Sequence, residues 1–197
     1  MEEVKEFIEK VDSASPAPGG GAVAAYTSSL AVALTRMAVN ISMKRKSFSN
    51  YSEEEQNYVH ELMAKLKIIE DNMYELKQKD VDTFNEYMVA FRSKVQSEID
   101  RMTLECFKLP KTLNLLIIDA LEIIFLLEKY VVSSVMSDYK MSLVMLLSMF
   151  DCCKENMLIN LKYIEDENVI NEYKAIKETS LNWINKINEK KNSWEDK

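Results

Sequence analysis

Helix-breaking residues are almost absent from this chain, and that scarcity constrains its fold more than any other feature. Among 197 residues there are three glycines and three prolines, and five of these six lie in the stretch SPAPGGG, residues 15–21. Glycine and proline are the least favourable residues inside a helix. A chain that avoids them elsewhere is predicted to be all-α, with Pro110 as the one further interruption.

Apolar residues at helical spacing divide the chain into about six to seven predicted helices. The first ends near Ser13, and the second runs from Ala22 to about Met43. Because the side chains of the second helix are small, we expect that helix at the centre of the molecule. The other predicted helices span 53–79, 80–107, 113–132 and 137–161, followed by an amphipathic helix that contains 169–184.

Three signals predict where particular helices begin or end. Ser52, with Glu55 three residues later, forms a capping box at the start of the third helix. Ser137 is a candidate cap for the helix that ends near 161. Pro110 predicts a helix boundary, since the residue before a proline rarely stays helical. The length favours one domain, residues 1–197.

The acidic composition excludes several partners. The formal net charge is −7 and the sequence pI is about 5.0, whereas nucleic acids and anionic membranes attract basic surfaces. Stretches 22–43 and 113–136 are apolar, but Arg36 in the first and Asp119 and Glu122 in the second are costly in lipid, so buried bundle helices are expected. The charged N-terminus is unlike a signal peptide, which predicts a cytoplasmic protein.

No metal site is predicted. Cys106, Cys152 and Cys153 lack the spacing of metal ligands and are expected to be buried thiols. His60, the only histidine, lies in a charged segment and is expected on the surface. Arg36, inside an otherwise uncharged helix, is expected to have a buried partner or a ligand, and a structural ion pair is favoured over a ligand.

The glycine-rich stretch is a candidate binding loop. Glycine leaves no Cβ and permits positive φ, so the N–H groups of Gly19–Gly21 could converge on an anion at the positive end of the next helix. The stretch lacks the Lys-Ser/Thr of a P-loop and the spacing of a dinucleotide fingerprint. A hinge or a close helix crossing is an equally weighted alternative.

With its flanks, SASPAPGGGAVAAYTSSLAVALTRMAVNISM, this stretch resembles the opening of the cyclodeaminase/cyclohydrolase family. Further similarity lies in Asp80–Phe84, in Phe107–Pro110, and in Ser137-Asp138 with Asn156–Leu161. The resemblance covers roughly residues 1–165. The chain departs from the family at 132–134, where Val-Ser-Ser replaces an Asn-Pro-Asn-like turn, and in bulkier residues of the following helix.

The resemblance implies an elongated, up-and-down helical bundle that forms homodimers. It also implies a tetrahydrofolate derivative as substrate, bound in a groove beside the glycine loop, and no metal. Family members act on the one-carbon unit that bridges N5 and N10 of the folate. The resemblance therefore predicts a methenyltetrahydrofolate cyclohydrolase or a formiminotetrahydrofolate cyclodeaminase. A non-catalytic folate-binding or homo-oligomeric assembly protein with the same fold is the alternative.

Two carboxylates are the predicted catalytic residues. Asp138 matches the family's Ser-Asp and opens a mainly apolar helix, and Asp80 matches the aspartate of another family segment. Either carboxylate is suited to moving a proton or favouring a cationic carbon. An acid at a helix start also stabilises the helix by about 0.3–1 kcal/mol, so a purely structural role is the alternative for both.

Nine residues are predicted to contact the substrate. Asn156 and Asn160 are one helical turn apart in apolar surroundings. Their side-chain amides could form hydrogen bonds with a pterin ring or with the backbone. Lys44 and Arg45 could meet the glutamate carboxylates of a folate or cap a helix C-terminus. The full predicted set is Pro18, Gly19, Gly20, Gly21, Lys44, Arg45, Ser137, Asn156 and Asn160.

Overall fold

The computed structural model describes residues 4–195, with side chains as far as residue 194. All regular structure in that range is helical, which confirms the all-α prediction. Neighbouring long helices pack against each other in an up-and-down bundle. The helices are α1 (Val4–Val11), α2 (Gly20–Met43), α3 (Glu53–Ser93), α4 (Gln96–Leu127), α5 (Met136–Leu161) and α6 (Glu167–Glu195), with single 3-10 turns at Phe48–Asn50, Glu128–Tyr130 and Ser133–Val135.

Helix α2 is the central element, as its small residues predict. It packs against α3, α4 and α5, and Ala24, Ala25, Ala31 and Ala38 are at most 2% exposed. In the described part of the chain, α2 alone is long and apolar enough to cross a membrane by length and composition. Inside the protein 56% of its apolar window is buried, as is usual for a core helix.

Helix α3 runs unbroken for 41 residues, so the predicted boundary near Asp80 is wrong. No glycine or proline occurs between 53 and 93 to interrupt it. Its start is as predicted, because the Glu55 N–H donates to Ser52 Oγ at 3.2 Å. It ends at Lys94, whose φ of 60° is left-handed.

Helix α4 passes through Pro110, so the predicted boundary there is also wrong. A proline inside a helix removes one N–H and displaces one carbonyl, here that of Cys106. Phe107, Pro110 and Leu113 are all buried. Apolar contacts on both sides of the proline therefore hold the two halves of α4 against the same core, and they outweigh the lost hydrogen bond.

The start of α5 differs from the prediction. The 3-10 turn Ser133–Val135 leads directly into a helix whose N-cap is Val135. Ser137 lies inside the first turn, so its predicted role as the cap is wrong. The last predicted helix is confirmed as α6, which extends to Glu195.

Several side-chain predictions can also be compared with the structure. His60 is exposed, as expected. Arg36 forms the expected ion pair, with Glu70 of α3 at 2.5 Å. The prediction that all three thiols are buried is wrong. Cys153 is buried, but Cys106 is half-buried and Cys152 is exposed, because the last two lie on other faces of their helices.

Candidate functional site

The glycine stretch forms the entry to α2 in an unexpected way. Gly20 and Gly21 belong to the first turn of the helix, and Gly19 is its extended N-cap. None of the three glycines has a positive φ, so the expected nest with left-handed glycine is wrong. What these residues contribute is the absence of a side chain.

Gly21 is where that absence matters most. A Cβ built on Gly21 would lie 2.0 Å from Oδ1 of Asp80, whereas a Cβ on Gly20 would meet the Asn156 amide at ordinary distances of 3.5 and 3.9 Å. The Asp80 carboxylate of α3 thus lies directly against the backbone of α2. Any side chain at position 21 would displace it.

Asp80 caps α2 from a neighbouring helix. The backbone N–H of Ala22 donates to the Asp80 carboxylate, while the N-cap residue Gly19 provides no side-chain cap. The first N–H groups of a helix lack partners within it, and the helix dipole favours an anion there. Asp80 lies 60 positions after Gly20 in the sequence, yet its carboxylate accepts the hydrogen bond that the side chain of a local N-cap residue usually accepts.

Burial raises the pKa of Asp80 above the usual range of an aspartate, and the Ala22 N–H only partly opposes this effect. A carboxyl group with a raised pKa holds a proton more readily near neutral pH. Such a group is better matched to exchanging protons with a ligand than a fully solvated aspartate is.

A groove of about 380 Å³ opens beside Asp80, between the glycine loop, α3, α4 and α5. Its walls combine polar groups with aromatic rings, as small-molecule sites commonly do. It continues past Tyr87, Thr103 and Tyr163 into a second space of about 810 Å³. The lining residues are Pro16, Ala17, Gly19, Gly20, Gly21, Asp80, Phe84, Tyr87, Thr103, Cys106, Leu109, Pro110, Asn156, Ile159, Asn160 and Tyr163.

The two predicted asparagines both line this groove. Asn160 Nδ2 donates to the Asn156 carbonyl at 2.9 Å, so part of its amide is already occupied. The side-chain amide of Asn156 makes no hydrogen bond with any described residue and lies beside Gly20. Asn156 therefore offers both a donor and an acceptor to a ligand.

Cys106 is a groove residue that the sequence reasoning missed. Burial and the nearby charge of Asp80 raise its pKa to about 11. It is a neutral thiol at physiological pH, and hence a poor nucleophile. Its side chain reaches the groove because Thr103, Cys106 and Pro110 share one face of α4.

The aromatic wall was also missed. Phe84 and Tyr87 have ring centroids 6.2 Å apart, and Tyr87 stacks on Phe91 at 6.1 Å. In the sequence these rings read as the apolar face of a core helix. The spacing of these rings along one face of α3 was the only signal in the sequence. Whether that face packs in the core or lines a groove depends on where α4 and α5 lie.

The remaining predicted site residues lie elsewhere. Lys44 and Arg45 are exposed beyond the far end of α2, which has 24 residues and is therefore about 36 Å long. Ser137 and Asp138 lie at the start of α5, about 27 Å from Asn156 along that helix. Within one chain, the predicted residues thus form two groups at opposite ends of the bundle.

Metal ligands do not converge in the described region. Among the described side chains, no group of three or more His, Cys, Asp or Glu is arranged to hold a metal ion.

Fold and groove together define a class: an all-helical protein whose site is built around one half-buried carboxylate at a glycine-bearing helix N-terminus. The chain belongs to the formiminotransferase-cyclodeaminase family, whose model matches residues 3–179. This confirms the resemblance found in the sequence.

A solved structure supports the same assignment. The crystal structure of formiminotetrahydrofolate cyclodeaminase from Thermotoga maritima is similar to this chain with a TM-score of 0.84 and 25% sequence identity. The similarity covers 94% of this chain and 91% of the other. No match is found among curated proteins.

Proposed function

We propose that this protein is a folate-dependent one-carbon enzyme that acts on formimino- or methenyltetrahydrofolate. The family and the similar cyclodeaminase structure support a folate substrate. The observation that carries the proposal is the Asp80 carboxylate, held between Gly21 and the Ala22 N–H inside an aromatic-walled groove.

Cyclodeamination requires a proton to move from N10 to the leaving nitrogen in two transfers, both of which a single carboxylate can perform. The formimino group is an amidine and is protonated near neutral pH. N10 attacks its carbon, the N10–C bond forms as the C=N π pair moves to the formimino nitrogen, and N10 must then lose its proton. The C–N bond to the former imino nitrogen breaks after that nitrogen has gained a proton, so that ammonia leaves and the methenyl cation remains. Asp80 can accept the first proton and donate the second, because its raised pKa suits both roles.

Cyclohydrolysis makes similar demands on the same group. Water adds to the methenyl carbon and loses one proton. The resulting hydroxyl then loses its second proton as the carbonyl forms, the C–N5 bond breaks and N5 takes up a proton. The product is the N10-formyl compound, with one proton released overall. Asp80 would act as the base towards water, so the groove is compatible with either reaction.

Substrate binding is assigned to the groove around Asp80. The rings of Phe84 and Tyr87 offer flat apolar contact to a pterin, and Asn156 offers a donor and an acceptor. The connected outer space could hold the rest of an extended molecule. Gly19 and Gly20 would bound the end of the groove nearest α2, whereas the predicted residue Pro18 is not among the residues that line it.

The experiment uses pure protein with 5-formiminotetrahydrofolate or methenyltetrahydrofolate. Methenyl absorbance and released ammonia are measured together. The appearance of both identifies deamination, and loss of the absorbance identifies hydrolysis.

Asp80→Asn is expected to lower kcat by about 10²–10⁴-fold with folate binding retained. The matched control is Asp82→Asn, because Asp82 is exposed on the same helix and is held by Gln78. Folate binding without turnover in the unaltered protein would favour the non-catalytic alternative, and absence of both would refute the proposal.

We also propose a homodimer that joins the two groups of predicted residues. Val23, Leu30 and Met37 form an exposed apolar stripe at seven-residue spacing along α2. If a two-fold axis crosses α2 near Leu30, two copies pair antiparallel through this stripe. The partner subunit's Lys44 would then lie near Pro16 of this subunit, at the mouth of the groove.

The antiparallel arrangement also has an electrostatic reason. A parallel pair would bring the basic segments 44–46 of both copies together, whereas the antiparallel pair separates them by roughly the length of α2. The start of α5 lies beside the end of α2, since the Val132 N–H donates to Ser42 Oγ at 3.0 Å. Ser137 and Asp138 of the partner subunit would therefore approach the same groove.

A further inference from the structure

A second cavity lies on the opposite side of α5 from the groove. It has a volume of about 160 Å³, is formed by α4, α5 and α6, and shares no lining residue with the groove. Its walls are mainly apolar and include Phe150, Met157, Leu181 and Ile184. An apolar cavity of about 150 Å³ can hold a single aromatic ring.

The floor of this cavity contains an incompletely satisfied amide. Asn114 of α4 is 1% exposed and Ser180 of α6 is 6% exposed, and Ser180 Oγ donates to Asn114 Oδ1 at 2.9 Å. Asn114 Nδ2 has no hydrogen-bond partner among the described residues. Even with the amide turned over, Ser180 could serve only one of its two polar atoms. Because Asn114 lines the cavity, its Nδ2 is available to donate a hydrogen bond to an oxygen of a bound ligand.

The rim of the cavity carries an available positive charge. Lys154 of α5 is 2.9 Å from Asp151, so these two lining residues largely neutralise each other. Lys177 of α6 is exposed and forms no ion pair with any described residue. An anion at the rim would therefore meet one unpaired ammonium group.

We propose that this cavity binds a small monocarboxylate whose one-ring apolar body carries a hydroxyl or carbonyl oxygen at its far end. The ring lies between the apolar walls, the carboxylate meets Lys177, and the distal oxygen accepts from Asn114 Nδ2. Each part of the ligand matches one observed feature of the cavity. This cavity is separate from the groove proposed to bind folate, so the carboxylate-binding proposal and the folate proposal can each be refuted without affecting the other.

The first test titrates the full chain with four probes by isothermal calorimetry or ligand-observed NMR. We expect 4-hydroxybenzoate to bind most tightly, and benzoate, which lacks the distal oxygen, to bind about 3–10-fold more weakly. Acetate lacks the ring and benzyl alcohol lacks the charge, so both should bind more weakly than benzoate. No saturable binding of either benzoate compound, or acetate binding as well as benzoate, would overturn the proposal.

Variants at the mouth and floor then locate the site. Leu181 is 52% exposed, so Leu181→Trp can fold and fill the opening, and it should abolish binding. Lys177→Gln should weaken both benzoates by a similar factor of about 3–10. Lys174→Gln is the matched control, because Lys174 lies one turn away and contacts Asn171 instead.

Asn114→Leu tests the floor by comparing probes within one variant. It should erase the difference between 4-hydroxybenzoate and benzoate while leaving benzoate binding. A persisting difference, or unaltered binding to Leu181→Trp, refutes the site. If Asn114→Leu does not fold, the Leu181 and Lys177 variants decide the matter, since both positions are exposed.

Discussion

At the residue scale, one contact organises the candidate site: the Asp80 carboxylate against Gly21. Gly20 and Gly21 look equivalent in the sequence, but their surroundings differ, because the Cβ positions lie 3.5 Å and 2.0 Å from the nearest side-chain atom. The stretch of three glycines therefore contains one position that requires glycine and another that does not.

Gly21→Ala should displace Asp80 and remove its hydrogen bond with the Ala22 N–H. We expect a loss of about 1–2 kcal/mol in the free energy of unfolding, the usual cost of a lost helix cap, together with loss of folate turnover. Gly20→Ala is the matched control and should be neutral or slightly stabilising, since alanine favours helix. Urea denaturation and turnover measure both. Equal effects of the two substitutions would contradict the contact.

Asp80→Asn should stabilise the protein at neutral pH. Because the folded-state pKa of Asp80 is raised, folding takes up a proton between the unfolded and folded pKa values, and stability falls as pH rises through that window. Asparagine can still accept from Ala22 without the cost of a buried charge.

The Tm of Asp80→Asn at pH 7 should exceed that of the unaltered protein by a few degrees, at about 2–4 °C per kcal/mol for a chain of this size. The difference should shrink below pH 4, where aspartate is protonated in the unfolded chain as well. Thermal melts over this pH range measure the effect. A variant that is less stable at pH 7 would show that the charge stabilises α2 more than its burial costs.

Thiol alkylation should be selective in the folded protein. Cys152 is exposed, burial raises the pKa of Cys106 to about 11, and it raises the pKa of Cys153 further. Iodoacetamide at pH 8 is expected to modify one cysteine per chain, Cys152, and all three after unfolding. Peptide mass spectrometry identifies the modified thiols, and rapid labelling of Cys106 would mean that the groove opens more than the structure indicates.

At the element scale, buried hydroxyls join α2 to α5. Thr35 and Ser142 are fully buried and their oxygens are 2.6 Å apart. Ser142 Oγ also donates to the Tyr139 carbonyl at 2.7 Å. Because the Ser142 proton is used there, the Thr35 hydroxyl is the donor between the helices.

A double-mutant cycle tests this contact. Thr35→Val should cost about 1 kcal/mol, and Ser142→Ala about 1–3 kcal/mol because it leaves the Thr35 donor buried without this acceptor. The double variant should cost less than the sum, with a coupling of about 0.5–1.5 kcal/mol. Urea denaturation gives all three values, and Ser148→Ala on the exposed side of α5 is the control. Strict additivity would show that the two hydroxyls do not interact.

The continuous α3 and α4 show how packing overrides local rules at this scale. The acid Asp80 and the proline Pro110 are both ordinary signals of a helix end, yet both lie inside long helices. Both residues line the groove. Their unusual positions inside helices are what bring a carboxylate and a proline ring to the same cavity.

At the scale of the whole molecule, cysteine crosslinking tests the proposed dimer. In a Cys152→Ser background, the antiparallel arrangement places position 23 opposite position 37 of the partner. The variant carrying both Val23→Cys and Met37→Cys should crosslink under mild oxidation, and either substitution alone should not. Denaturing gels distinguish the products. Crosslinking by each single variant would indicate a parallel pair, and a monomer by light scattering would refute the dimer.

Much of the protein was determined by its sequence. The near absence of glycine and proline leaves helix as the only regular structure, and the small residues of α2 direct it to the centre. The family was evident in the glycine loop and the later motifs. Asp80, Gly19–Gly21, Asn156 and Asn160, which were chosen from the sequence, line one groove, and their roles stay predictions.

Only the tertiary structure decided how those residues meet. Asp80 caps a helix that starts 60 residues earlier, and Gly21 rather than Gly20 makes room for its carboxylate. Phe84, Tyr87 and Cys106, which the sequence suggests are core residues, line the groove instead. Helix propensity and periodicity depend on neighbours a few positions away. The cap, the groove and the cavity at Asn114 arise between helices distant in sequence, where packing determines which polar groups find partners.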